Sequence, residues 1–254
     1  MSKEQTGPVQ TAQRLARREL PKRFYKHVAV RGEGDAFAVT LDGRPARTPL
    51  KRKLAAPSVR LAEAIAREWD AQSVRIDPAT MPLTRIVNAA IDSVADNPDA
   101  VRGEIVKYAG SDLLCYRAEG PAELVAIEEE AWGPLLAFAR DRLDARLRVA
   151  SGIVHAMQRP EAIAAIARAV AAFDPLELTA VSVITTITGS AIIALAIALG
   201  GIDADAGWKA AHVDEDWQMR QWGEDSMAMR RRAARRLEYD AAAFILREMR
   251  GDGR

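Results

Sequence analysis

From Leu178 to Ile202 the chain runs for 25 residues without a charged side chain. A stretch of that length has two homes, the hydrocarbon of a bilayer or the middle of a helical core. Thr179, Ser182, Thr185, Thr186, Thr188 and Ser190 dilute its apolar character, and Gly189-Ser190 divides it. Its flanks are Glu177 and Asp203, with no Lys or Arg to clamp a span at the lipid surface. The segment therefore predicts one all-round apolar helix, or two short ones, buried inside the bundle of a water-soluble protein.

The surrounding sequence supplies that bundle. Helical patterning runs over residues 100–114, 121–142, 160–173, 176–199, 204–212 and 215–249, the last with internal breaks. Pro98, Gly120-Pro121, Pro160 and Asp174-Pro175 punctuate it, because proline lacks the N–H that a helix interior needs. Ahead of it the texture differs. Phe24 to Val30 alternates in part between apolar and polar residues, as a half-buried strand does, and Ala36 to Leu41 reads as the returning strand after the turn Gly32-Glu33-Gly34-Asp35. Asp42-Gly43 is a strong hairpin signal, since both residues tolerate positive φ. Arg44 to Pro49 would then be an extended edge segment. Ser58 is placed to cap a helix whose apolar positions Leu61, Ile65 and Trp69 recur every four residues. A second helical stretch covers 83–95.

The expected fold is α+β: a basic N-terminal extension over 1–22, a β-rich α+β domain over 23–97, and a larger all-α domain over 98–254. At 49% hydrophobic and 28% charged residues the chain is too apolar for a disordered one. Its single cysteine, Cys115, forms no internal bridge, which fits a reducing compartment. Met1 to Gln13 lacks the apolar stretch of a signal peptide. Arg14, Arg17 and Arg18 are of the kind a transit peptide carries, whereas Glu4 and Glu19 are not, so the expected location is the cytoplasm. Net charge is +1, which sets up no global field for nucleic acid or membrane. Residues 1–60 hold 14 Lys and Arg against 5 Asp and Glu, and the rest of the chain is net negative, an asymmetry that favours a protein partner.

No motif supports catalysis. His27, His155 and His212 lack ligand spacing, and one cysteine makes a zinc site improbable. Ser151 and His155 would meet on a helix, but Gly152 intervenes and no nucleophile elbow surrounds the serine. Gly32-Glu33-Gly34 lacks the third glycine of a dinucleotide loop. Asp77, Asp92 and Asp112 are scattered, with nothing pairing them for acid–base work. The run Arg230-Arg231-Arg232-Ala233-Ala234-Arg235-Arg236 reads as a solvated helix face laced with ion pairs, ahead of an anion patch.

One cluster has a sharper reading. Within Val213 to Asp225, a helix would place Glu215, Gln218 and Trp222 on one face, a carboxylate, an amide and an indole together. Such a face could recognise a cationic partner, or its tryptophans could be core and its acids could complement the helix dipole. Composition leaves the two even.

The order of short motifs carries a resemblance. Arg23-Phe24-Tyr25-Lys26, Leu41-Asp42-Gly43-Arg44-Pro45, Glu68-Trp69, Met81-Pro82-Leu83-Thr84-Arg85, Asp112-Leu113-Leu114-Cys115-Tyr116-Arg117, Trp132-Gly133-Pro134-Leu135-Leu136, Asp214-Glu215-Asp216-Trp217-Gln218 and Trp222-Gly223-Glu224-Asp225 follow one another from about Arg23 to Leu246. In this the chain resembles the ATP synthase F(1) assembly chaperone family specific for the α subunit, with mitochondrial and related bacterial members. Ile127-Glu128 and Met227 depart from that family's usual residues. The resemblance implies no catalysis, no cofactor and no metal. It implies a chaperone, monomeric when free, that binds the unassembled α subunit, prevents its aggregation and hands it on to the β subunit, without nucleic acid or stable membrane insertion. Glu215, Gln218, Trp222, Glu224 and Asp225 are the expected partner-binding residues. The alternative is a small-molecule-binding protein or hydrolytic enzyme using the cleft between the two domains.

Overall fold

The computed structural model describes residues 20–152 and 155–251. A small strand region comes first and a larger helical region follows, the expected α+β order. Residues 1–19 of the expected basic extension lie outside the described residues. Beyond them, Pro21 O accepts from Ile76 N at 2.8 Å, so this part of the chain is pinned beside the 74–76 loop.

Strands β1 (Val28–Glu33) and β2 (Ala36–Leu41) form an antiparallel hairpin, with Val28 opposite Leu41 and Glu33 opposite Ala36. Strands β3 (Arg44–Pro45) and β4 (Ala55–Ala56) both pair with β2, which is the centre of the sheet. Asp42 and Gly43 turn β2 into β3 with φ of 48° and 80°, the positive values their side chains allow. The expected strand over Phe24–Val30 begins only at Val28. Its first half is a strap instead: Lys26 N and His27 N donate to the Asp42 carboxylate, and Arg23 N donates to Val74 O, so these donors are spent off the ladder.

Helix α1 (Val59–Asp70) lies on β1 and β2. Ser58 Oγ accepts from Leu61 N at 3.1 Å, satisfying one of the orphan donors of its first turn. Leu61 and Ile65 are completely buried, as their spacing required. From the other end of α1, the Glu68 carboxylate accepts from Leu83 N at 2.7 Å and Thr84 N at 2.8 Å. It thereby caps α2 (Pro82–Ala89), which runs on as a π-helical turn over Ala90–Val94. The remaining helices are α3 (Pro98–Gly110), α4 (Ala122–Leu143), α5 (Pro160–Ala171), α6 (Pro175–Thr188), α7 (Ala191–Ala198), α8 (Ala204–Ala211), α9 (Val213–Trp222) and α10 (Ser226–Arg250). A two-residue parallel pair, β5 (Tyr116–Arg117) with β6 (Ala150–Ser151), has no periodicity to announce it. Ser151 lies in β6 and not on a helix, and His155 Nδ1 meets Tyr116 Oη at 3.1 Å, so no Ser–His pair forms.

The uncharged run becomes α6 and α7. Gly189, at φ 69°, ends the first, and Ser190 Oγ accepts from Ile193 N at 3.0 Å to start the second. Every residue of α7 is buried. Among the described residues no helix is long and apolar enough to cross a membrane. Below the break, the fully buried Asp112 accepts from Leu114 N and Ile192 N, both at 3.1 Å, tying the 112–115 turn to the start of α7. The other scattered carboxylates have similar structural work. Asp92 accepts from Thr48 Oγ1 at 2.6 Å and Leu50 N at 2.9 Å, and Asp77 caps a short 3₁₀ turn.

Buried side chains from Tyr25 to Leu246 form one hydrophobic cluster. Helices α2 and α10 join its two ends, with Arg85 3.4 Å from Glu238 and Arg60 3.5 Å from Glu248 across the seam. Helix already begins at Val59, well ahead of the expected domain border at 97/98, and one hydrophobic cluster packs across that border.

A tight approach in this core is at Gly207 in α8. A Cβ there would lie 2.7 Å from both Ile197 Cδ1 and Tyr239 Oη, and that hydroxyl donates to Ala204 O at 2.6 Å. Although alanine is the better helix former by about 1 kcal/mol, Gly207→Ala is expected to lower stability by about 1–3 kcal/mol through overpacking. Urea unfolding of the two proteins, compared at equal m-value, measures it.

Candidate functional site

Helices α9 and α10 meet at a sharp turn. Gly223, at φ 86°, lets the chain reverse after Trp222, and the Asp225 carboxylate accepts from Met227 N at 3.0 Å and Ala228 N at 3.3 Å to start α10. The two helices enclose an open groove of about 750 Å³. Glu215, Gln218 and Trp222 line it together, as the i, i+3, i+7 spacing required, and Asp225 closes its end. Met219, Ala228 and Met229 supply its apolar surface. Glu224 does not line it. That side chain is exposed and makes no hydrogen bond or ion pair among the described residues.

The opposite wall is basic, a feature no local pattern in α9 announces. Arg235 Nη2 lies 2.9 Å from Glu215 Oε1, and Arg232 Nη1 lies 2.5 Å from Asp216 Oδ1 and 3.9 Å from Glu215 Oε2. Farther along, Arg236 pairs with Asp205 at 2.5 Å and with Asp240 at 2.7 Å. The arginine run is therefore largely an ion-pair lattice between α10 and its neighbours, as its charge pattern indicated. Glu215 is thus already ion-paired within the chain while remaining half exposed. The groove residues that retain unspent capacity are different ones. Trp222 is 79% exposed, and Gln218 and Arg231 make no hydrogen bond or ion pair among the described residues.

The base of α9 is held more firmly. Trp217 is buried, and His212, just ahead of it, is 2% exposed and stacked on Trp208 with ring centroids 3.8 Å apart. Burial lowers the His212 pKa, which keeps the ring neutral beside the arginines. Glu128 of α4 is 1% exposed, accepts from Ala118 N at 2.9 Å, and its carboxyl group meets that of Asp214 at the first turn of α9. Burial, then the like charge of the neighbouring Asp214, raises the Glu128 pKa. In the sequence Glu128 stands out only as a departure from a family pattern. Its partner, far along the chain, carried no signal.

The ion pairs set an expectation for charge reversal. Glu215→Lys would put a third cation beside Arg232 and Arg235 and a positive charge in the first turn of α9. The combined loss is about 1–2 kcal/mol, visible as a lowered Tm. A second variant, Glu215→Gln, removes the pairs without the repulsion and should lose less than half as much.

Comparison with known proteins decides the family. The family model described as "ATP12 chaperone protein" matches residues 22–140. Protein atp12, mitochondrial, of Schizosaccharomyces pombe is 24% identical over 214 residues, spanning 80% of this chain and 74% of that protein. The crystal structure of Atp12 from Paracoccus denitrificans superposes with a TM-score of 0.82 at 39% identity, over 89% of this chain and 97% of that one. The chain belongs to the ATP12 chaperone family. A structure from Agrobacterium tumefaciens, described as that of a candidate chaperone, agrees more closely still. Its TM-score is 0.85 at 44% identity, over 97% of this chain and 92% of that one. The family is named for chaperones and not for enzymes, so the hydrolytic alternative is set aside.

Proposed function

We propose that this protein binds the unassembled α subunit of ATP synthase F(1), keeps it from aggregating, and releases it for assembly with the β subunit, using the groove between α9 and α10. Membership in the ATP12 chaperone family supports a role in ATP synthase assembly. The observation that carries the choice of surface is Trp222, a large indole left 79% exposed at the mouth of an otherwise apolar, arginine-walled groove. A tryptophan in that setting costs solvation while free and is the residue type that most often dominates a protein interface.

The physical requirements of the task match a groove of this kind. A ring subunit without its neighbours exposes apolar interface that associates nonspecifically. A holder must cover it and later leave, which favours a modest patch with a polar rim over a large obligate surface. The test is direct. Purified α subunit is diluted from denaturant with and without an equimolar amount of this protein, light scattering is followed, and β subunit is then added. Suppressed scattering, a complex on gel filtration, and loss of that complex on adding β are the expected results. Unchanged scattering with no complex overturns the proposal.

A further inference from the structure

A second cavity, of about 740 Å³, lies between the amino-terminal strap, the β2–β3 turn and the end of α1. Its walls are aromatic. Phe24 and Tyr25 pack edge to face with centroids 5.3 Å apart, and Tyr25 and Trp69 sit 5.7 Å apart. Phe24 is nevertheless 72% exposed. The strap that carries it is fastened on both sides: Arg23 Nη1 donates to Asp70 O at 2.8 Å, Tyr25 Oη donates to Trp69 O at 2.7 Å, and Lys26 N is held by Asp42. The ring is an apolar feature in water.

Two polar features give the cavity a sign. The Nε1–H of Trp69 is shielded from solvent and donates to nothing among the described residues, an unmet demand for an acceptor. On the rim, Arg44 and Arg47 are exposed and neither forms an ion pair among the described residues. Asp42 offsets them only in part: its oxygens accept from Lys26 N and His27 N, bonds that hold its pKa below the usual carboxylate value and keep it ionised, so two arginines stand against one carboxylate in the lining.

We propose that this cavity is a second docking site, separate from the α9–α10 groove, that takes an extended segment of another protein bearing a large apolar side chain next to carboxylates. The apolar side chain packs against Phe24 and Tyr25, a carbonyl or carboxylate accepts from Trp69 Nε1, and a neighbouring carboxylate meets Arg44 and Arg47. Charge complementarity selects this occupant over two others. The chain's own residues 1–19 carry Lys3, Arg14, Arg17 and Arg18 against Glu4 and Glu19, the same sign as the rim. A second copy, docking face to face by two-fold symmetry, would set two rims of the same net sign against each other.

The indole N–H resonances of the full-length protein test this, since there are only five tryptophans and Trp69→Phe assigns the relevant one. The probe is the synthetic nonapeptide Gly-Ser-Asp-Leu-Asp-Phe-Asp-Ser-Gly, blocked at both ends. Its addition should shift the Trp69 resonance downfield and saturably, leaving that of Trp222 in place. Phe24→Ala, and the double variant Arg44→Glu/Arg47→Glu, alter exposed side chains and should each weaken binding about tenfold or more. No shift at millimolar peptide overturns the proposal, as does a shift of Trp222 alone. Equal binding of the Asp→Asn peptide, or tighter binding of a peptide of residues 1–19, overturns the stated chemistry. A Trp69 shift that follows protein concentration without any peptide assigns the cavity to a second copy instead.

Discussion

Asp112→Ala is expected to lower the stability of the fold by about 2–4 kcal/mol, with the 112–115 turn and the start of α7 losing hydrogen-exchange protection first. The carboxylate is fully buried and accepts from Leu114 N, Ile192 N, Ala191 N and the Ser190 hydroxyl. Alanine leaves those donors without acceptors in a place water does not reach, and each orphaned group costs about 1–3 kcal/mol before relaxation. Asp112→Asn separates charge from shape, since it keeps one carbonyl oxygen in the site. The wild type should also show a pH signature that Asp112→Asn lacks. Burial, only partly offset by the four hydrogen bonds, raises the Asp112 pKa from 3.8 to about 6. The folded state therefore holds this proton more tightly than the unfolded chain does. The stability it contributes is complete below about pH 4, and it is lost as pH rises through about 6. That loss amounts to about 3 kcal/mol. Chemical denaturation between pH 4 and 7 reads it. A wild-type profile parallel to that of Asp112→Asn would show that the carboxyl group does not titrate in this window.

Trp222→Ala is expected to abolish holding of the α subunit while leaving the fold intact. The side chain is 79% exposed at the last residue of α9, so its removal should change Tm by no more than about 2 °C. If it anchors the partner, truncation costs about 2 kcal/mol or more, at least a thirtyfold loss of affinity. Light scattering of the α subunit at equimolar variant, beside a melting curve, separates the outcomes. A variant that melts normally and suppresses scattering as well as the wild type removes Trp222 from the binding surface. Glu215→Lys is a poorer probe, because its ion pairs to Arg232 and Arg235 couple any loss of binding to a loss of stability.

The parts of this structure that short-range patterns govern were legible in the sequence. Ser58 caps α1, Asp42-Gly43 makes its turn, and Gly189-Ser190 cuts the uncharged run in two, each through contacts within four residues. The common face of Glu215, Gln218 and Trp222 was legible for the same reason, since helical spacing alone sets it. What surrounds that face was not. Arg235 reaches Glu215 across 20 residues of chain, and Glu128 meets Asp214 from another helix. Such pairings depend on how helices pack, which composition leaves open. The strap at Phe24 to His27 misled for a related reason. Its alternation is that of a strand, yet Asp42, brought near by the hairpin, captures the backbone donors that a ladder would have used.

The long last helix has a mechanical consequence. The buried residues of α10 begin at Tyr239, and residues 226–238 include none. That leaves an arm of about 20 Å ahead of a clamped root, joined to α9 through the turn at Gly223 and carrying one wall of the α9–α10 groove. The arm is braced sideways by Arg232 and Arg235 against α9, contacts that weaken with ionic strength, and not by apolar burial. Its bending and fraying therefore belong to a softer mode than the opening of the core. Changes in the width of the groove need not disturb the buried residues from Tyr239 to Leu246.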